Sequence, residues 1–211
     1  MNVNTRRSAP GFAPIGEVRV IGGSLKRSKL AVLPRHGLRP TPDRVRETVF
    51  NWLAPMLEGA RVLDLCAGTG VLGIEALSRG AKFAWLNEAD PDLAAQILSA
   101  GQRLKIAHCM HVSRIAAERL LATLPDALFD IAFVDPPYKA GLWTKILDRL
   151  PTWLNPGALV YLEYPVELPA PYGSNWVVRK QSSAGRVSFC LLEHAPVSAS
   201  LENQGENLTG R

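Results

Sequence analysis

The chain has 211 residues, enough for one domain with a full core and a small appendage. Its 47% hydrophobic and 20% charged content is ordinary for a globular protein, and no apolar run approaches the ~18 residues of a membrane span. The net charge of +5 is uneven: residues 1–60 hold ten Lys and Arg against four acids, so charge alone leaves a polyanion partner and a merely solvated basic face both open.

In chain order, residues 1–16 are polar, carry Pro10, Gly11, Pro14 and Gly16, and read as a disordered tail without the apolar stretch of a signal peptide. Glu17 to Ile21 alternates polar and apolar residues, Gly22-Gly23 follows, and Lys29 to Leu33 completes a β-hairpin with Lys26, Arg27 and Lys29 at its turn. Thr41-Pro42 predicts a helix start, with Thr41 as N-cap and Pro42 at the first helical position. Val45, Val49, Trp52 or Leu53, and Met56 then recur at helical spacing until Pro55 ends or kinks the helix. Hairpin and helix form an extension over 17–58.

From residue 59 strands and helices alternate. Strands are expected near 61–65, 82–87, 108–112, 129–134 and 158–162, and helices near 70–79, 91–104, 114–123 and 141–153. Such alternation implies a parallel sheet covered on both faces. Segments 175–180 and 186–192 flank Gln181-Ser182-Ser183-Ala184-Gly185 with no helix between them, so they pair as an antiparallel hairpin. Residues 195–211 are polar and aperiodic and read as a second tail. Cys66, Cys109 and Cys190 are odd in number and widely spaced, which suggests reduced thiols in a cytoplasmic protein. His108 and His111 are read as structural and no metal is expected.

Two motifs carry chemistry. Val62-Leu63-Asp64-Leu65-Cys66-Ala67-Gly68-Thr69-Gly70 is a strand running into a glycine turn, and Gly68 and Gly70 let main chain approach a ligand closely. Asp64 ends the first strand of the repeat and Glu88 the second. A carboxylate at each suits S-adenosylmethionine, with Asp64 for its ammonium group and Glu88 for its ribose hydroxyls, across the C-terminal strand ends of a doubly wound sheet. The second motif, Asp135-Pro136-Pro137-Tyr138, ends the fourth strand. Its carboxylate and the Pro136 carbonyl can accept hydrogen bonds from a conjugated amine, Pro137 stiffens the turn, and Tyr138 can stack on a base turned out of its helix. The expected chemistry is methyl transfer to an exocyclic amine, and the sheet with its terminal hairpin is the seven-stranded, Rossmann-like class I methyltransferase layout. Gly68-Thr69-Gly70-Val71-Leu72-Gly73 also matches a dinucleotide-binding G-x-G-x-x-G. Asp64 would repel a pyrophosphate, and Asp135 to Tyr138 have no role in hydride transfer.

The stretch Leu38-Arg39-Pro40-Thr41-Pro42-Asp43-Arg44-Val45-Arg46-Glu47-Thr48-Val49-Phe50-Asn51-Trp52-Leu53 resembles the hallmark of the RsmD family, bacterial enzymes that methylate N2 of guanine 966 in 16S ribosomal RNA. Ile21-Gly22-Gly23, both motifs and the final hairpin fit the same family over about 18–193. The resemblance implies that Asp64, Ala67, Gly68, Gly70 and Glu88 bind the cofactor and that Asp135, Pro136, Pro137 and Tyr138 hold the guanine. It further implies that Lys26, Arg27, Lys29, Arg39, Thr41, Arg46 and Asn51 grip RNA and close the site. Where the family usually has an Asn or Asp for the adenine amine, this chain has Ser113-Arg114-Ile115, which leaves Ser113 or a main-chain carbonyl to accept that bond. The implied partner is 16S RNA within the 30S subunit or its precursor, met by a cytoplasmic monomer whose methyltransferase domain spans 59–194. The alternatives are a DNA adenine-N6 methyltransferase, for which the chain lacks room for a target-recognition region, and a non-catalytic RNA-binding assembly factor.

Overall fold

The computed structural model describes residues 13–35, 41–138 and 141–195. The hairpin pairs β1 (Gly16–Arg19) with β2 (Lys29–Val32), antiparallel. Helix α1 (Asp43–Leu57) follows. Then come β3 (Arg61–Asp64), α2 (Val71–Ser78), β4 (Phe83–Asn87), α3 (Pro91–Arg103), β5 (Met110–Ser113), α4 (Ala117–Leu120), β6 (Phe129–Val134), α5 (Trp143–Arg149), β7 (Leu154–Pro165), β8 (Trp176–Ala184) and β9 (Val187–His194). Strands β3 to β9 form one seven-stranded sheet in the order β5-β4-β3-β6-β7-β9-β8. The first five are parallel, and β9 runs antiparallel to both neighbours.

The order reverses between β3 and β6. The chain winds outward from β3 to β5, then returns to the other side of β3, so the ends of β3 and β6 open a crevice of the kind that binds ligands in such sheets. Both sheet faces are covered, and strand periodicity assigns residues to them alternately. Val62, Ile131, Phe133 and Tyr161 pack under β1, β2, α1, α2 and α3. Leu63, Ala132, Val134, Val160 and Leu162 pack against α4 and α5 on the other face. The extension therefore shares a core with the main domain, with Val18, Val20, Leu30, Val49 and Phe50 all buried in it.

Several expected boundaries shift. The cap of α1 is Pro42, not Thr41, and no side chain caps the helix. Thr41 is buried one residue earlier. Pro55 does not end α1, which runs two residues further to Leu57. Pro55 and Asn51, four residues before it, are both exposed, so the carbonyl that Pro55 cannot serve faces solvent. Leu53 occupies the core-facing position, and half-buried Trp52 packs on Phe189 with ring centroids 5.6 Å apart. The helices expected over 114–123 and 141–153 contract to α4 and to α5 with one 3-10 turn.

Candidate active site

The loop after β3 is held open by carboxylates acting on main chain. Gly68 and Gly70 have φ of 55° and 78°, left-handed values that favour glycine. At Gly70 a Cβ would also lie 3.0 Å from Ile97 Cγ1. Buried Asp64 accepts the Gly73 amide, in the first turn of α2, at 3.1 Å. Burial pushes its carboxyl up to about 7 against that hydrogen bond, and the charge of Glu88 adds to the rise. Glu88, directly after β4, accepts the Gly68 amide through Oε2 and the Asp90 amide through Oε1, both at 2.8 Å. Burial raises it as well. Ala67 donates its amide to the Asn87 carbonyl at 2.9 Å.

Ser113 ends β5 and is buried. Its hydroxyl donates to Asn87 Oδ1 and accepts from the Trp85 indole, each at 2.7 Å. The Asn87 amide in turn donates to the carbonyls of Leu65 and Ile115 at 3.0 and 2.8 Å. Sequence reasoning offered Ser113 to the adenine. Its one proton fixes Asn87, which braces the loop, and one of its two lone pairs takes the Trp85 indole, which leaves the other as the acceptor an adenine amine would need.

The Asp135–Tyr138 turn leaves β6 beside this loop. Asp64 pairs in register with Phe133, and the Leu65 amide donates to the Phe133 carbonyl at 3.1 Å. Among the described residues the Asp135 carboxylate has no hydrogen-bonded side chain and no ion pair. Burial, then the charges of Glu163 and Asp64, raise it well above the usual carboxylate range. Pro136 is buried and Pro137 exposed. The Tyr138 ring is 38% exposed and leans on Trp143 with centroids 5.9 Å apart, while its hydroxyl donates to Glu163 Oε1 at 3.0 Å.

Glu163 escaped the sequence reading. It is 6% exposed near the end of β7. Its Oε2 accepts the Tyr161 hydroxyl at 2.7 Å, and its main-chain carbonyl accepts the Trp143 indole at 2.8 Å. The available signal was an acid inside the otherwise apolar and aromatic run Leu159–Tyr164.

Cys66 reports what surrounds the crevice. Burial raises its thiol most, followed by the charges of Asp135, Asp64, Glu88 and Glu118. Among the described residues no Lys or Arg pairs with Asp64, Glu88, Asp135 or Glu163. A site of converging, uncompensated carboxylates beside a glycine turn suits a cationic ligand with hydroxyls and repels an anionic one.

The extension is fastened by a second acid that sequence reasoning missed. Glu75 of α2 is fully buried and accepts the amides of Ile21 and Gly22 at 2.8 and 2.9 Å. It also pairs with Arg46 at 3.2 Å and Arg79 at 2.8 Å. Gly23 has φ 73°, and a Cβ there would fall 1.8 Å from the Ser78 carbonyl oxygen. Arg46 corrects an expectation. It is fully buried, bonded to Glu75, to Asp43 at 2.6 Å and to the Thr41 carbonyl at 3.1 Å, and cannot reach a phosphate. Thr41 is likewise internal. Lys26, Arg27, Lys29 and Asn51 are exposed, with Lys29 paired to Glu17 at 2.7 Å. Arg39 lies outside the described residues. Arg35, which sequence reasoning passed over, pairs with Asp90 at 2.8 Å and with Asp92, tying the end of the hairpin segment to the turn after Glu88.

Comparison with known proteins places this geometry. The family described as Conserved hypothetical protein 95 matches residues 18–193. The Ribosomal RNA small subunit methyltransferase D of Escherichia coli K12 is 39% identical over 201 residues, 94% of this chain and 97% of that protein. The protein of the same name from Haemophilus influenzae is 38% identical over 85% of this chain and 95% of its own. The solved structure of yhhF from Escherichia coli superposes with a TM-score of 0.76 at 39% identity, covering 85% of this chain and 99% of that one. An RNA methyltransferase from Salinibacter ruber shares the fold at a TM-score of 0.59 and 17% identity.

Proposed function

The chain belongs to the family of Conserved hypothetical protein 95, the RsmD family, and from that premise we propose that it transfers a methyl group from S-adenosylmethionine to the exocyclic N2 amine of a guanine in 16S ribosomal RNA. The observation that carries the reading is the adjacency of the two motifs. The glycine loop and the Asp135–Tyr138 turn leave neighbouring strands at the point where the strand order reverses.

When bound, S-adenosylmethionine supplies an electrophilic methyl group on a sulfonium whose charge disappears in transfer. Glu88 would hold its ribose hydroxyls and Asp64 its ammonium group, and Ala67, Gly68 and Gly70 would form the backbone cradle. The acidic surroundings favour a cation over the neutral product. On the acceptor side the Asp135 carboxylate and the Pro136 carbonyl take hydrogen bonds from the guanine amine and draw its lone pair out of conjugation with the ring. Pro137 keeps both acceptors aimed, and the Tyr138 face receives the base. The methylated amine must lose a proton. Asp135, whose burial and acidic neighbours raise its proton affinity, takes it. Lys26, Arg27 and Lys29 supply phosphate contacts from the hairpin. One basic lobe has little means of reading base sequence, so the folded shape of the 30S subunit or its precursor presents the guanine, to a monomer acting in the cytoplasm.

Methyl transfer from labelled S-adenosylmethionine to unmodified 30S subunits, naked 16S RNA and duplex DNA, followed by nucleoside analysis, tests this. Label in N2-methylguanosine is expected, most of it from 30S. Label in N6-methyladenine of DNA, or none in any acceptor, would overturn it.

A further inference from the structure

Glu163 has no role in the reaction just described, yet it is the most elaborately held acid of the site. Burying an ionisable side chain in a strand is unfavourable unless partners compensate it. A purely structural acid commonly finds a Lys or Arg, as Glu75 finds Arg46 and Arg79. Glu163 is met instead by two phenol hydroxyls from two places: Tyr161 within β7 and Tyr138 after β6. Its main chain also holds the Trp143 indole, and Trp143 is the ring on which Tyr138 leans.

Tyr138 depends on these contacts. It follows two prolines, belongs to no strand and is 38% exposed, and among the described residues its side-chain partners are Trp143 and Glu163, which both lead to residue 163.

We infer that Glu163 is the positioning residue of the acceptor half: by accepting the Tyr138 hydroxyl and holding the Trp143 indole on its own carbonyl, it keeps the Tyr138 ring turned toward the acceptor base. The inference rests on the methyl-transfer reading above. Glu163 acts through Tyr138 and touches no reacting atom.

The test compares wild type, Glu163→Gln, Tyr138→Phe and the double variant. Glu163→Gln keeps the volume and removes one acceptor oxygen. Its kcat on 30S subunits should fall about 10- to 100-fold, the scale of a small misplacement of a reacting group, while affinity for S-adenosylhomocysteine stays within about threefold. The double variant should be no slower than Glu163→Gln, because both changes release the same ring. A second arm needs no activity. In a spectrophotometric titration the Tyr138 phenol, isolated as the difference between each protein and its Tyr138→Phe counterpart, should ionise at lower pH in Glu163→Gln than in wild type. A kcat within about twofold of wild type, a matched loss of kcat, cofactor affinity and thermal stability, or an unshifted Tyr138 phenol would each overturn the inference. Should wild type methylate no RNA, the functional reading fails on that control and the titration still decides whether Glu163 holds Tyr138.

Discussion

The two halves of the site are built from different materials. In the donor half, acids act on main chain: Asp64 holds the Gly73 amide and Glu88 the amides of Gly68 and Asp90. All of this lies within one β-α-β unit. In the acceptor half an acid acts on side chains, with Glu163 gathering the hydroxyls of residues 138 and 161. The donor half has to shape a backbone cradle for a fixed small molecule, and glycines at set spacing accomplish that locally. The acceptor half has to aim a ring and two acceptors at a base delivered by a large partner, and here the aim comes from distant parts of the chain.

If the halves are separable, damage to one should spare the other. Asp135→Ala removes the carboxylate that meets the amine and should lower transfer by roughly 10³-fold or more, with S-adenosylhomocysteine affinity within a few-fold by calorimetry. A comparable loss of cofactor affinity would show the two halves to be one unit. The extension offers a second contrast, between buried and exposed charge. Arg46→Met leaves Glu75 short of a partner in the core and should cost about 3–5 kcal/mol in urea unfolding. It should leave the salt dependence of RNA binding unchanged. Changing Lys26, Arg27 and Lys29 together to Gln should do the reverse, flattening the log-log salt slope by about two to three with little loss of stability.

These contrasts also explain what the sequence made legible. The doubly wound sheet, its terminal hairpin and the donor loop follow from periodicity and from glycines and acids at strand ends, all of which are local patterns. Arg46 was given to RNA by the family resemblance, and a motif in the chain does not show which of its arginines the core encloses. Only the fold brings Arg46 to Glu75, 29 residues away in sequence. Glu163 and Glu75 stayed hidden for the same reason, since each makes its contacts across elements. Ser113 was placed correctly at a strand end, but its use depended on the side chains of Trp85 and Asn87 on the neighbouring strand.

A smaller effect separates two jobs within the donor half. Glu88→Ala should weaken S-adenosylmethionine binding by roughly 1.5–3 kcal/mol through lost charge-assisted hydrogen bonds to the ribose. It also frees the Gly68 and Asp90 amides, so the loss should exceed that of Glu88→Gln, which keeps one oxygen acceptor. Equal losses would assign the whole effect to the ribose contact, and an unchanged dissociation constant would remove Glu88 from the cofactor site.

Asp64 gives the finest distinction, because its charge state should follow pH in the free protein. Burial raises its carboxyl from 3.8 to about 7. Between those values the folded chain holds a proton that the unfolded chain releases, so the group's contribution to stability falls as pH rises and is constant above about 7. Ligand binding has the opposite sense. An ammonium group needs the ionised carboxylate, so binding below pH 7 must expel the proton. Affinity for S-adenosylhomocysteine, whose ammonium group stays charged through this range, should therefore rise about tenfold from pH 6 to a plateau above 7. Calorimetry in two buffers of different ionisation heat should detect about one proton released at pH 6 and none at pH 8. Asp64→Asn should lower the plateau and flatten this part of the profile, leaving only the shallower dependence contributed by Glu88, whose carboxyl is also raised by burial. Proton release that persists undiminished in Asp64→Asn would move the linkage to Glu88 and make the ribose end, not the ammonium end, the pH-sensitive part of the donor half.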